Sequence, residues 1–468
     1  MKSYEGTILA YGMSTFVALF GFFACGKLGL AADQSPSSTA APSSSASPPE
    51  GTCGTNNTND IEYLNFWPPL PAGLPDLSGI RDLAARLGTS GDGKTRQLAV
   101  GGGIPIFASD ASIVHEIRLR FDLAKQTNVA VLFNVDDHIG WDKRPDLWNW
   151  YDPDKPGYNP ANKRNVEWYD WEGTPNKRRY LTPNGTPSQT PHMCYNSPVI
   201  LAEIRRVISH VVGPALMEEI NALKQNGQEY LFAGISVGAE AGFDDYSIIS
   251  KLLPQLPRHD TGDPIQMDTA RMIRQAAALM GEDKAPYSRL GYCSLTNAGY
   301  SKTNPPADIN RALADVNQKF IEFWDNQFVD AGIPCWRIYT HVAASSPQDD
   351  NNNAPIRIVF NPYARPGWTT YPIGMLANGF QPLYDELAKH GNPAWGGVEA
   401  NNPAFAIPNA PSWEKYLAWH YNHGAKLVAI NVGAADRSIM SNLSKGAFGD
   451  EAMAAYEKFL KGEKLIEK

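Results

Sequence analysis

Short apolar runs and helical stretches alternate along the chain from residue 60 onward. Asp60-Ile-Glu-Tyr-Leu-Asn-Phe66 predicts a first strand, and Leu77, Ile80, Leu83, Ala84 and Leu87, spaced three and four apart, predict its helix. A second strand falls within Gln97 to Phe107. Ser109-Asp110 then caps a helix with Ile113, Ile117, Phe121 and Ala124 on one side. Asn128 to Val135 is an almost continuous apolar run, the form that parallel strands take. A long loop from Asp136 to Asn196 follows. Ser197-Pro198 opens the next helix, which runs to about Lys224.

The fourth strand is Leu231-Phe-Ala-Gly-Ile-Ser-Val-Gly-Ala-Glu240, with a helix over Met267 to Met280. Arg289-Leu-Gly-Tyr-Cys293 is taken as the fifth strand. The helix after it carries Ile309, Leu313, Val316, Phe320, Phe323 and Trp324. Strand six is Cys335 to His341, with a short helix over Pro382 to His390. Strand seven is Ala394-Trp-Gly-Gly-Val-Glu399, and the next helix starts at Ser412 and closes at Gly424. Lys426 to Val432 is strand eight, and a last helix spans about Asp450 to Leu460. Strict alternation implies parallel strands with helical crossovers. The fold class expected is α/β, a (β/α)8 TIM barrel over 60–468 with long loops at the C-terminal ends of its strands. A doubly wound open sheet fits less well, because no Gly-rich phosphate loop follows the first strand.

The ends of the chain change the picture. Residues 1–32 predict an export signal: Lys2 lies ahead of the apolar stretch Ser14 to Ala24, which is too short to span a membrane comfortably. Phe23-Ala-Cys25-Gly26 resembles a lipoprotein cleavage box but lacks Leu three residues before the cysteine. Residues 33–59 form a Ser/Pro-rich linker with too little apolar surface to offset its ordering entropy. Any membrane tether would run through this N-terminus alone. The expected site of action is outside the cytoplasm: secreted, periplasmic or surface-anchored.

Formal net charge is −8, and no basic block interleaved with aromatics occurs, which argues against nucleic acid as a partner. Cys53, Cys194, Cys293 and Cys335 form no CxxC, so zinc ligation by them is not expected. In an oxidising compartment they allow one or two disulfides, or burial of Cys335 as a free thiol.

Glu240 and Glu399 both stand where a predicted strand stops. In a parallel barrel these C-terminal strand ends carry the active site, and a carboxylate pair there is the minimum equipment for cleaving a glycosidic bond. One must donate a proton to the leaving oxygen. The other must be ionised, to attack C1 or to activate water. On strand four and strand seven, the pair resembles the clan A retaining (β/α)8 glycosidases, which include family 42 β-galactosidases, cellulases and mannanases. That resemblance implies Glu240 as acid/base and Glu399 as nucleophile. The clan has Asn before the acid/base, where this chain has Ala239. Val237-Gly-Ala-Glu240 is also similar to β-amylases, which share the barrel but invert.

Other residues complete the expected site. Asp136, Asp137 and His138 directly follow strand three. They suit hydrogen bonds to sugar hydroxyls; as a metal site they would need a distant partner such as His115 or His341. The loop after them is rich in aromatics with no helical spacing, and Trp141 and Trp148 are the ones expected to stack on a sugar. Near the end of strand six, His341 is expected to touch the nucleophile or the substrate. Arg365, Trp368 and Tyr371 are expected to wall the cleft, and Asn401 and Asn402 to bind sugar or turn the chain.

The expected activity is glycoside hydrolysis of a β-linked oligo- or polysaccharide by a two-carboxylate, retaining mechanism, with no cofactor and no metal. Two alternatives stand beside it: a non-catalytic carbohydrate-binding barrel, and a metal-dependent hydrolase using Asp136, Asp137 and His138.

Overall fold

The structure is a computed structural model. It describes residues 53, 60–67, 77–135, 140–176, 190–238, 241–243, 290–343, 354–372, 374–402, 410–431 and 447–467. The predicted export signal, nearly all of the linker and the Met267 to Met280 helix lie outside the described residues. Among the described residues no helix is long and apolar enough to cross a membrane.

The strands are β1 (Glu62–Trp67), β2 (Arg96–Ile104), β3 (Ala130–Val135), β4 (Phe232–Val237), β5 (Ile338–Thr340), β6 (Val342–Ala343), β7 (Gly367–Thr369), β8 (Trp395–Ala400) and β9 (Ala425–Asn431). Every pairing between them is parallel, in the order β5-β4-β3-β2-β1-β9-β8-β7-β6. The two ends of that order are one stretch of chain. β5 and β6 are separated only by His341, with β5 pairing to β4 and β6 pairing to β7. A sheet whose first and last strands are halves of one stave is a closed barrel of eight staves, the TIM-barrel fold expected from the alternation.

Two staves differ from expectation. The segment taken as strand five, Arg289 to Cys293, ends in the first turn of a helix, Tyr292–Asn297. The fifth stave is Ile338 to Ala343, expected as the sixth, and the sixth is Gly367–Thr369, which the sequence pattern leaves in a loop. At three residues, this stave is too short to generate an apolar run. The two differences cancel, so β4 and β8 remain the fourth and seventh staves.

Side-chain alternation sorts the apolar residues into an inner and an outer core. Small residues (Ala99, Ala130, Ala233, Ala429) and two tyrosines (Tyr63, Tyr339) fill the barrel interior. Outside it, helices close over the outward residues. Ile309–Asp330 begins at Asp308, whose carboxylate accepts from the Asn310 and Arg311 N–H groups at 2.9 and 3.1 Å. This helix buries Leu313, Phe320, Trp324 and Phe328, side chains that each contribute about 1.5–3 kcal/mol when fully buried.

The N-terminal end of the barrel is closed by charge. Arg365 and Asp60 form a buried ion pair, Arg365 Nη1 donates to Tyr339 Oη at 3.3 Å, and Arg337 lies over the Tyr63 ring. Arg365 therefore does not wall the cleft. It precedes its stave, and residues before a parallel stave belong to the opposite end from the active site. A disulfide between Cys53 and Cys335 fastens the same end.

Candidate active site

Glu399 reaches the barrel interior through an irregularity in β8. Against β7, Trp368 and Thr369 pair with Gly397 and Glu399; against β9, Gly397 and Ala400 pair with Val428 and Ile430. Just beyond Gly397, β8 thus carries one residue more than either neighbour, which is a β-bulge. Val398 points inward and packs in the interior core. Strict alternation would send the next residue out, but the extra residue returns Glu399 to the inside, where it meets side chains from three other staves.

Those contacts are specific. Tyr371, two residues past β7, donates its hydroxyl to Glu399 Oε1. Asn431, the last residue of β9, donates from Nδ2 to the same oxygen at 2.8 Å and to the Tyr371 hydroxyl at 3.1 Å. His341 Nε2 lies 3.6 Å from Glu399 Oε2 and shares a 2.9 Å hydrogen bond with Thr369 Oγ1. Burial lowers the His341 pKa below its ordinary value and favours the neutral ring, against the opposing pull of Glu399. Asn401 donates to the Asn431 carbonyl at 3.1 Å, so it steadies the residue that holds Glu399. Asn402 turns the chain by donating to Pro411 O at 2.7 Å.

Above the apolar interior lies a polar layer. Asn65, Asn134 and Ser236 follow the inward positions of β1, β3 and β4, with Asn134 and Ser236 paired in register. Their side chains are buried, and Asn65 Nδ2 and Oδ1, Asn134 Nδ2 and Ser236 Oγ have no hydrogen-bond partner among the described residues. Buried polar atoms of this kind call for water or a hydroxyl-bearing ligand.

Glu240 and the cluster Asp136, Asp137 and His138 lie outside the described residues, but the chain beside Glu240 is firmly held. Gly238 has φ +109°, and a Cβ there would stand 3.1 Å from His341 O, so only glycine lets β4 pass that close to the fifth stave. The His341 N–H donates to Val237 O at 2.6 Å. After Glu240, Ala241 O accepts from Asn317 Nδ2 at 2.6 Å. Gly242 O lies 3.2 Å from the Tyr195 hydroxyl and 3.0 Å from His192 Nε2.

Three tryptophans differ from expectation. Trp141 and Trp148 are 5% and 8% exposed; Trp148 Nε1 donates to Trp141 O and Trp141 Nε1 to Pro191 O. They pack the core of the long insertion, whose carbonyls are gathered by the buried amides of Asn149, Asn162 and Asn165. Trp368 is fully buried outside the barrel against Trp395 and Phe360, because Thr369 takes the inward position of that stave. His115 is exposed on the outer helix Asp110–Thr127. No group of three or more His, Cys, Asp or Glu among the described residues could hold a metal ion.

Asn431 is the residue that sequence reasoning missed. Its signal was present: a single amide at the C-terminal end of an otherwise apolar buried run, a pattern repeated by Asn65 and Asn134.

No family model matches this chain, and no curated protein matches it. Solved structures with some likeness include the catalytic domain of a β-amylase from Paenibacillus polymyxa, at 11% identity and a TM-score of 0.45 over 87% of this chain and 99% of that one. A GH5-4 broad specificity endoglucanase from an uncultured bacterium gives 10% identity and 0.39 over 86% and 93%. A 3-keto-D-glucoside 4-epimerase from E. coli gives 8% and 0.34 over 86% and 99%. The barrel assignment rests on the strand register and does not draw on these likenesses.

Proposed function

We propose that this chain is a glycoside hydrolase acting on a β-linked oligo- or polysaccharide through two carboxylates, Glu399 and Glu240. The observation that carries the reading is the setting of Glu399. It is turned into the barrel by a bulge at the C-terminal end of the seventh stave, with one oxygen held by both Tyr371 and Asn431. A carboxylate fixed at one oxygen by two donors is oriented for attack on a sugar C1, or on a water beside it. The polar layer of Asn65, Asn134 and Ser236 offers both donors and acceptors, which suits the hydroxyls of a sugar ring.

In this mechanism Glu240 protonates the leaving oxygen while Glu399 attacks, and Glu240 then removes a proton from the incoming water. His341, kept neutral by burial, leaves Glu399 without a full positive charge at its side. Retention requires carboxyls about 5–5.5 Å apart. The reading includes export, with residues 1–59 as signal and tether, which cell fractionation tests.

The deciding experiment is turnover of aryl β-glycosides and polysaccharides by the wild type, Glu399→Gln and Glu240→Gln. Activity in the wild type and its loss in both variants, with melting temperatures unchanged, supports the reading. Full activity in Glu399→Gln refutes it. Carbohydrate binding without turnover in the wild type leaves a binding barrel instead. Product anomers followed by NMR separate retention from inversion.

A further inference from the structure

Two cysteines that are far apart in sequence meet beside the barrel mouth. The bridge between Val166 and Met193 sets Cys194 next to Asn165, whose carbonyl accepts from the Cys194 N–H at 3.0 Å. The Cys293 thiol lies 3.6 Å from the adjacent carbonyl of Arg164. Cys194 Sγ is 3.7 Å from Oγ of Ser294, the residue after Cys293, and both cysteines are free thiols in this structure. Both are fully buried. The segments that bear them are already fixed in register: Asn196 Nδ2 donates to Ser294 O at 2.8 Å, and Ser294 donates from its N–H and hydroxyl to the buried Glu167.

Cys194 also sits inside the clamp on the chain after Glu240. His192 and Tyr195, on either side of it, are the residues that hold Gly242. Elsewhere the chain carries a disulfide across 282 residues, Cys53–Cys335. Such a bond persists in an oxidising compartment, where a second pair of neighbouring thiols meets the same oxidant.

We propose that Cys194 and Cys293 form a second disulfide, which staples the end of the long insertion to the helix Tyr292–Asn297 and buttresses the clamp on Gly242. The bond forms by exchange with an oxidised dithiol protein or glutathione disulfide. One cysteine thiolate attacks the donor disulfide, the second displaces the donor from the mixed disulfide, two protons leave, and two electrons pass to the donor, which departs as thiols. Burial raises the Cys194 thiol pKa well above its ordinary value, so closure belongs to folding, before the pair is sealed from solvent. The effect on catalysis rests on the two-glutamate reading; the bond itself does not.

The test is to refold the full chain across a series of glutathione redox ratios, alkylate before any reduction, and map the peptides by mass spectrometry. The Cys194 and Cys293 peptides are expected to be linked wherever Cys53–Cys335 is closed. Alkylation of both thiols while Cys53–Cys335 is closed, or at the most oxidising ratio, overturns the proposal. A second arm uses Cys194→Ala, Cys293→Ala and the double variant. A cross-link predicts equal losses of melting temperature in all three; additive losses mean two independently packed thiols and overturn it. On an aryl glycoside, kcat should fall several-fold in each variant with KM unchanged. A wild type with no glycosidase activity defeats the two-glutamate reading alone and leaves the peptide map to decide the bond.

Discussion

Replacing Asn431 with leucine removes the amide that holds Glu399 while keeping the branched, four-heavy-atom shape of the side chain. Asn431 Nδ2 makes two bonds, to Glu399 Oε1 at 2.8 Å and to the Tyr371 hydroxyl at 3.1 Å. A hydrogen bond to a charged group contributes about 1.5–3 kcal/mol. At about 1.4 kcal/mol per decade, its loss from the transition state lowers kcat roughly 10- to 100-fold. Tyr371 still donates to the same oxygen, which places the expected loss at the lower end. Asn431 meets the carboxylate, so KM should stay within about twofold of the wild type.

The assay is initial rates on an activated aryl β-glycoside across pH, with calorimetry to confirm folding. Asn431→Asp sharpens the test. It sets a second carboxyl at hydrogen-bonding distance from Glu399, and two carboxyls so close share a proton. The acid limb of kcat/KM should then move up by about one pH unit or more, because Glu399 must lose that proton to react. The reasoning is refuted if the leucine variant keeps wild-type kcat and the aspartate variant keeps the wild-type acid limb. A raised KM with unchanged kcat would instead place Asn431 against the substrate.

Trp141→Ala should lower stability by about 3–5 kcal/mol through the cavity it leaves in the insertion, with KM unchanged; a large KM rise at constant melting temperature would return Trp141 to the cleft. Arg365→Met leaves Asp60 buried without its partner at the N-terminal end of the barrel. It should cost about 3–5 kcal/mol in denaturant titrations without changing turnover per folded molecule, and reduced turnover in the fully folded variant would contradict that placement. Burial raises the Glu167 pKa from 4.5 to about 7, against the hydrogen bonds from Ser294. The folded state therefore binds the proton more tightly than the unfolded state, and stability falls as pH rises from about 4.5 to about 7. At about 1.36 kcal/mol per unit the drop approaches ~3 kcal/mol. Glu167→Gln should flatten melting temperature against pH in that window, and an unflattened curve would show that Glu167 ionises freely.

Where an element's own residues generate its signal, the sequence was readable. The apolar runs of β3 and β9, and the three-and-four spacing of the helix Ile309–Asp330, depend on local burial alone, and each stands where its pattern put it. The fifth stave was read as a strand too, within Cys335 to His341, and only its number was wrong. The sixth failed for the opposite reason: Gly367–Thr369 holds a single large apolar residue and leaves no periodic trace. That stave is defined by its neighbours, through pairings such as Val342 with Trp368 and Gly367 with Gly396.

The same division runs through the candidate site. Glu399 could be placed at a strand end from the run Ala394 to Val398, yet alternation from Val398 alone turns its carboxylate toward the helices. It faces inward only because, just beyond Gly397, β8 carries one residue more than β7 and β9, a count between strands that one strand's sequence does not hold. Trp368 shows the converse: an aromatic beside a strand end reads as a sugar platform, but the inward place belongs to Thr369, and Trp368 packs under Trp395. Asn431 was visible as a polar residue ending an apolar run, and its role depends on Tyr371 arriving 60 residues away in sequence to share one carboxylate oxygen. Asn65, Asn134 and Ser236 carry the same mark. A polar side chain near the C-terminal end of a buried parallel strand is destabilising unless something at the barrel mouth bonds to it. That makes the amides and hydroxyls within the strands a better guide to the ligand than the aromatics in the loops, which can pack on each other.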